Sequence, residues 1–283
     1  MTEPNPTPPQ HSPVIAFIGG GNMARSLIGG LLARGTPAIS IRAADPNTDS
    51  RAALAADFGI HVEADNTLAA DGAAIWLLAV KPQVMATVCA SLRDLAQAQR
   101  PTIVSIAAGI TSAQIDAWLG GGQAIVRCMP NTPALLGAGA TGVCANARVG
   151  ETTKAQVMVL MAAVGISVEI ADETLMDAVT AVSGSGPAYV FLLAEAWQAA
   201  AQAQGLPAET ARALVNQTLL GAARMLSETD EAASTLRRRV TSPGGTTHAA
   251  IAQLQGDGFA ALIERAIDAA TRRGAELAAS APV

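Results

Sequence analysis

The chain has 283 residues, 50% of them apolar and 14% charged, with a formal net charge of −5. Such a length exceeds what one hydrophobic core usually supports, so two domains are expected. With no basic run longer than Arg237-Arg238-Arg239 and no stretch of roughly 20 uninterrupted apolar residues, nucleic acid and membrane are both excluded as expected partners.

Residues 1–12, MTEPNPTPPQHS, are proline-rich, lack the basic start and apolar stretch of a secretion signal, and read as a disordered tail. The cysteines Cys89, Cys128 and Cys144 are odd in number, far apart and without metal-ligand spacing. Neither a disulfide nor a metal site is expected, and a reducing cytoplasm is the expected location.

From Val14 short apolar runs alternate with helical patterns: VIAFIG, a helix to Arg34, AISIRAAD, then a helix from near Asp49 to Phe58. AAIWLLAV, TIVSIAAG and QAIVRCMPN follow as continuous apolar strands of the kind buried on both faces of a sheet. This order predicts an α/β fold with a doubly wound parallel sheet. A last short strand, ISVEIA, ends near Asp172, after which alanine-rich helices take over. The expected boundary is residue 171, giving a nucleotide-binding domain over 13–171 and an all-α domain over 172–283. In 187–204, PAYVFLLAEAWQAAAQAQ, small or apolar residues occupy almost every helical face, which predicts burial against a second subunit.

Four constellations carry chemistry. Gly19, Gly21 and Ala24 fill the G-x-G-x-x-[GA] pattern between a strand and a helix, where glycines permit a tight turn and a pyrophosphate meets the helix N-terminus. Asp45, at the end of the next strand, has two readings: an acceptor for a ribose 2′-hydroxyl, which favours NADH, or the start of an Asx turn. Ala79-Val80-Lys81-Pro82, Ala107-Ala108-Gly109 and Met129-Pro130-Asn131 end later strands on the edge where open α/β sheets bind ligands. In the helical part, Ser183 lies in VSGSGPAY, and Ser242, Gly244, Gly245, Thr246 and Thr247 lie in a glycine turn able to cradle a carboxylate. An ordinary helix cap is the competing reading of that turn. His248 stands beside it, equally a proton donor or a helix-start residue.

Taken in order, GGGNMARSLIGGLL, LLAVKPQ, SIAAGI, MPNTPALLGAGATG, AVSGSGPAYVF and SPGGTTHAAI resemble the pyrroline-5-carboxylate reductases, over residues 14 to 277. The resemblance implies a Rossmann-type domain followed by a helical domain that interleaves with its partner in a homodimer, often assembled further. It implies NADPH or NADH as cofactor and a small cyclic imino acid, reduced to proline, as substrate. By motif, Gly19, Gly21, Asn22 and Met23 would hold pyrophosphate, Asn66 would contact the ribose region, and Ala79 to Pro82 would face the nicotinamide. Gly244, Gly245 and Thr246 would take the substrate carboxylate, with the Thr247 hydroxyl near the imine nitrogen as the catalytic candidate. Asp45 departs from the neutral or basic residues usual there in NADP-preferring members.

Two alternatives have distinct signatures. A 3-hydroxyacid dehydrogenase needs a base, typically lysine, yet the lysines here are Lys81 and Lys154, neither in the helical part. A regulatory dinucleotide sensor without catalysis would have no need of an intact SPGGTT turn.

Overall fold

The computed structural model describes residues 13–280; the expected tail, 1–12, lies outside them. The first part runs β1 (Ile15–Ile18), α1 (Asn22–Ala33), β2 (Ile41–Ala44), α2 (Thr48–Phe58), β3 (His61–Glu63), α3 (Asn66–Ala70), β4 (Ile75–Leu78) and α4 (Pro82–Gln99). It continues with β5 (Thr102–Ser105), α5 (Ser112–Trp118), β6 (Ala124–Met129), β7 (Gly139–Ala145), α6 (Glu151–Met161) and β8 (Gly165–Glu169). The eight strands form one sheet in the order β3-β2-β1-β4-β5-β6-β7-β8.

Period-2 alternation sends side chains to both faces of this sheet. Ile15, Phe17, Ile75 and Leu77 pack with α1 and α6 on one face, whereas Ala16, Ile18, Trp76 and Leu78 pack with α4 and α5 on the other. In α1 the buried positions are Ala24, Leu27, Ile28 and Leu31, the spacing of a single helical stripe. Doubly wound architecture therefore follows from strands that are apolar throughout and helices that are apolar on one side.

The sheet departs from the expected all-parallel arrangement at β7, which pairs antiparallel with β6 and parallel with β8. Neither β7 nor β3 is among the expected strands. GATGVCA is glycine-rich and HVE very short, so neither carries the apolar run that marks the other strands.

After β8 come α7 (Met176–Val179), a π-helical turn over Thr180–Gly184, α8 (Gly186–Ala203), α9 (Ala208–Glu228), α10 (Ala233–Arg239), α11 (Thr246–Gly256) and α12 (Phe259–Ser280). The chain divides into two compact units, Ser185–Ala269 forming the second, while the segment from Ala270 belongs with the first. By packing, then, the division falls after Gly184, later than the expected residue 171. Glu173 shows why this connecting segment stays with the sheet. It accepts hydrogen bonds from the Ser112 backbone (2.7 Å) and hydroxyl and pairs with Arg127 of β6 at 2.8 Å. Burial pushes the Glu173 carboxyl up, but those bonds and the Arg127 charge together hold it below its usual value. The final helix is tied in by Gln114, whose Nε2 donates to the Ala278 carbonyl at 3.2 Å.

The second unit is helical. None of the residues of α8 is buried, and Phe191 and Leu192 are each 65% exposed. No helix among the described residues is long and apolar enough to cross a membrane.

Candidate functional site

Register places most of the cofactor candidates on one edge of the sheet. Ile18 pairs with Ala44 and with Leu78, Ala44 pairs with Glu63, and Leu78 pairs with Ser105, so the carboxyl ends of β1 to β5 are level. Gly19, Asp45, Asn66, Ala79 to Pro82, Ala107 and Gly109 all follow those ends. The strand order reverses between β1 and β4, which makes the crevice above them the switch point where such sheets bind ligands.

Gly19 is the hinge of this crevice. Its φ is +103°, and a Cβ there would lie 2.7 Å from the Ala79 carbonyl oxygen, so only glycine lets the chain turn this close to β4. Gly21 differs: it caps α1 in an extended conformation and a Cβ would have nothing within 4 Å. The cap has no side-chain hydrogen bond, so the first-turn N–H groups of Asn22, Met23 and Ala24 are left without a side-chain acceptor from the cap. A cradle of this kind, free of side chains and lined by unpaired donors at a helix N-terminus, fits a dinucleotide pyrophosphate.

Asp45 realises its Asx-turn reading and adds a second bond that the sequence did not disclose. One carboxylate oxygen accepts from Asn47 N at 2.8 Å, the other from Gly20 N at 2.9 Å. The carboxylate thus clasps the glycine loop to the turn after β2. Each oxygen retains a further lone pair, so the ribose reading is compatible with this geometry. Asn47, not Asp45, caps α2, accepting from Ser50 N.

Lys81 is exposed and caps α4 through its backbone, followed by Pro82 in the first turn. Asn131 has a structural occupation: its amide oxygen accepts from Ala140 N and its amide nitrogen donates to the Ser183 carbonyl, both at 2.9 Å. Two candidates far apart in sequence, Asn131 and Ser183, are thereby joined. The Ser183 hydroxyl itself donates to Val179 O in the π-helical turn.

In the second unit, Gly244 carries the positive φ (+69°) of the SPGGTT turn and Gly245 caps α11 in an extended conformation. α11 starts at Thr246, not near His248 as expected, so Thr247 is the second helical residue and not its cap. Among the described residues no side chain caps this helix, and Thr246, Thr247 and His248 are exposed. The first-turn N–H groups of α11 and the exposed hydroxyls of Thr246 and Thr247 are placed to meet an anionic ligand.

The model of the pyrroline-5-carboxylate reductase dimerisation domain matches residues 173–277, and that of the NADP oxidoreductase, coenzyme F420-dependent family matches 14–109. The pyrroline-5-carboxylate reductase of Pseudomonas aeruginosa is 54% identical over 269 residues, covering 94% of this chain and 97% of the relative. The chain belongs to the pyrroline-5-carboxylate reductase family.

Solved members share the architecture. The Coxiella burnetii reductase superposes with a TM-score of 0.91 at 42% identity, covering 94% of this chain and 99% of its own. A Plasmodium falciparum reductase, solved with NADP bound, gives 0.81 at 28% identity over 94% of this chain and 98% of its own. The apolar surface left open on α8 lies within the region that the dimerisation-domain model matches.

The described residues include no group of three or more His, Cys, Asp or Glu that could hold a metal ion. All three cysteines are free and buried, and burial pushes the Cys89 thiol up to about 12, which removes it from nucleophilic chemistry.

Proposed function

We propose that this chain reduces the C=N bond of 1-pyrroline-5-carboxylate to give L-proline, using NADPH or NADH. The observation that carries the reading is the SPGGTT turn. It presents donors and hydroxyls suited to an amino-acid carboxylate and an imine nitrogen, in a helical unit that contains no lysine to act as the base of a hydroxyacid dehydrogenase.

When bound, the nicotinamide supplies the hydride. The loop Gly19 to Met23 holds the pyrophosphate on the N-terminus of α1, with Ala24 packed beneath it. Asn66 and Asp45 serve the adenosine ribose, and Ala79, Val80, Lys81, Pro82, Ala107 and Gly109 line the way to the nicotinamide. Asn131 supports the edge through Ser183. Gly244, Gly245 and Thr246 bind the substrate carboxylate, with Ser242 supporting the turn, and the Thr247 hydroxyl orients the imine nitrogen. A protonated imine accepts hydride readily, so alignment and exclusion of water are the enzyme's main contributions. The reaction belongs in the cytoplasm, in keeping with unpaired cysteines.

Purified protein is expected to oxidise both NADPH and NADH when given 1-pyrroline-5-carboxylate, because Asp45 retains lone pairs for a ribose hydroxyl. Steady-state rates with each reductant check this. No turnover with either would overturn the assignment. An NADPH preference of several orders of magnitude that survives Asp45→Ala would leave Asp45 as a loop clasp alone.

The smallest folded unit is a homodimer, on which larger assemblies of dimers can be built. Apolar surface as extensive as Val190, Phe191, Leu192, Leu193 and Trp197, all at least 43% exposed, is a liability in a lone soluble chain. Light scattering across a dilution series should give no species smaller than twice 28.5 kDa, and an active monomer would refute it.

A further inference from the structure

Beyond that reading, on which this inference rests for the placement of the adenosine ribose, one cation on the cofactor edge stands out. Arg51, in the first turns of α2, is half-buried and held in place. Its Nη1 donates to the carbonyls of Asp45 (2.8 Å) and Pro46 (3.0 Å), and its Nη2 to the Thr48 hydroxyl at 3.1 Å. Among the described residues its bonds go to two carbonyls and a hydroxyl, never to a carboxylate. Arg25, by contrast, is paired with Asp57.

An arginine fixed by neutral acceptors keeps its full charge and its remaining N–H groups for a ligand. The carbonyls that hold it are those of the turn after β2, where a dinucleotide's adenosine ribose sits in this class of sheet. Within that turn and the first turn of α2 the carboxylates are Asp45, already occupied by Gly20 N and Asn47 N, and the exposed Asp49. We propose that Arg51 is the residue that discriminates a 2′-phosphorylated from an unphosphorylated dinucleotide, and that Asp45 acts as a clasp for the glycine loop with both. The usual rule that an acid at this strand end repels the 2′-phosphate is offset here by a guanidinium fastened across the same turn.

Binding of NADP+ and NAD+, which differ only in the 2′-phosphate, tests this by calorimetry without turnover. Arg51→Gln should weaken NADP+ binding by about 10–100-fold, the range for a charge-assisted hydrogen-bonded pair, and change NAD+ binding no more than about 3-fold. Arg51→Lys, which keeps the charge but loses the planar fork, should fall between. Parallel loss of both ligands in Arg51→Gln would mean that the arginine merely stiffens the turn, and no loss of either would remove it from recognition; both overturn the proposal while leaving the cofactor site standing. Failure of the unaltered protein to bind either dinucleotide would bring down the site itself.

Discussion

Gly19→Ala is expected to lower affinity for the reduced cofactor by at least about 100-fold while leaving a folded protein. The added Cβ would sit 2.7 Å from Ala79 O and 2.9 Å from Ala79 C, both backbone atoms that cannot rotate away. Alanine at φ +103° adds backbone strain of about 1–3 kcal/mol, and overpacking adds a similar amount. That total is below the roughly 5–15 kcal/mol that holds a typical native state together, so the strain is relieved locally by lifting the loop off β4. Lifting it moves the N–H groups that must converge on the pyrophosphate. Fluorescence titration beside a melting curve checks both halves of the expectation. Gly21→Ala is the informative companion, because its Cβ meets nothing within 4 Å and its φ is ordinary. It should melt like the parent yet bind poorly, since the methyl group would enter the space assigned to the ligand. Parental affinity in Gly21→Ala would show that the pyrophosphate lies elsewhere.

Thr247→Ala is expected to cut kcat by about 100-fold or more, with a smaller rise in KM for the imino acid. A helix cap would have given this threonine a purely structural reason to be present, worth roughly 1 kcal/mol. The structure removes that reason, because Gly245 occupies the cap position and Thr247 lies inside the first turn of α11, exposed, where no side chain among the described residues caps the helix. Alanine is the better helix former, so the melting temperature should hold or rise slightly. Near-parental kcat in a well-folded variant would retire the catalytic assignment. A large fall in melting temperature would show that the hydroxyl has a structural partner instead.

What could be read from the sequence was what local pattern encodes. The strands β1, β4, β5 and β6 are almost continuously apolar, and the glycine loop has its residues within one turn of each other, so both were visible. The antiparallel β7 was not, because GATGVCA owes its strand form to pairing with β6 and β8 and not to any bias of its own. Packing divides the chain after Gly184 instead of near residue 171 for a related reason: Glu173 binds partners at Ser112 and Arg127, 61 and 46 residues away. The Asp45 clasp joins residues 25 apart, so a sequence reading could weigh only the local Asx turn against the ribose contact. The expected start of α11 near His248 is two residues late: an extended glycine ends the turn and the threonines, which the competing reading made caps, belong to the helix.

The return of the chain from Ala270 to the first unit has a consequence for biosynthesis. Ala278 reaches Gln114 across 164 residues, so this seam of the sheet unit cannot close until the ribosome has delivered the entire helical unit in between. Contacts of such long sequence separation form late and slowly. A nascent chain would therefore carry a laid-out nucleotide-binding sheet with one flank still bare, and its completion would have to wait for the intervening helices to leave the exit channel.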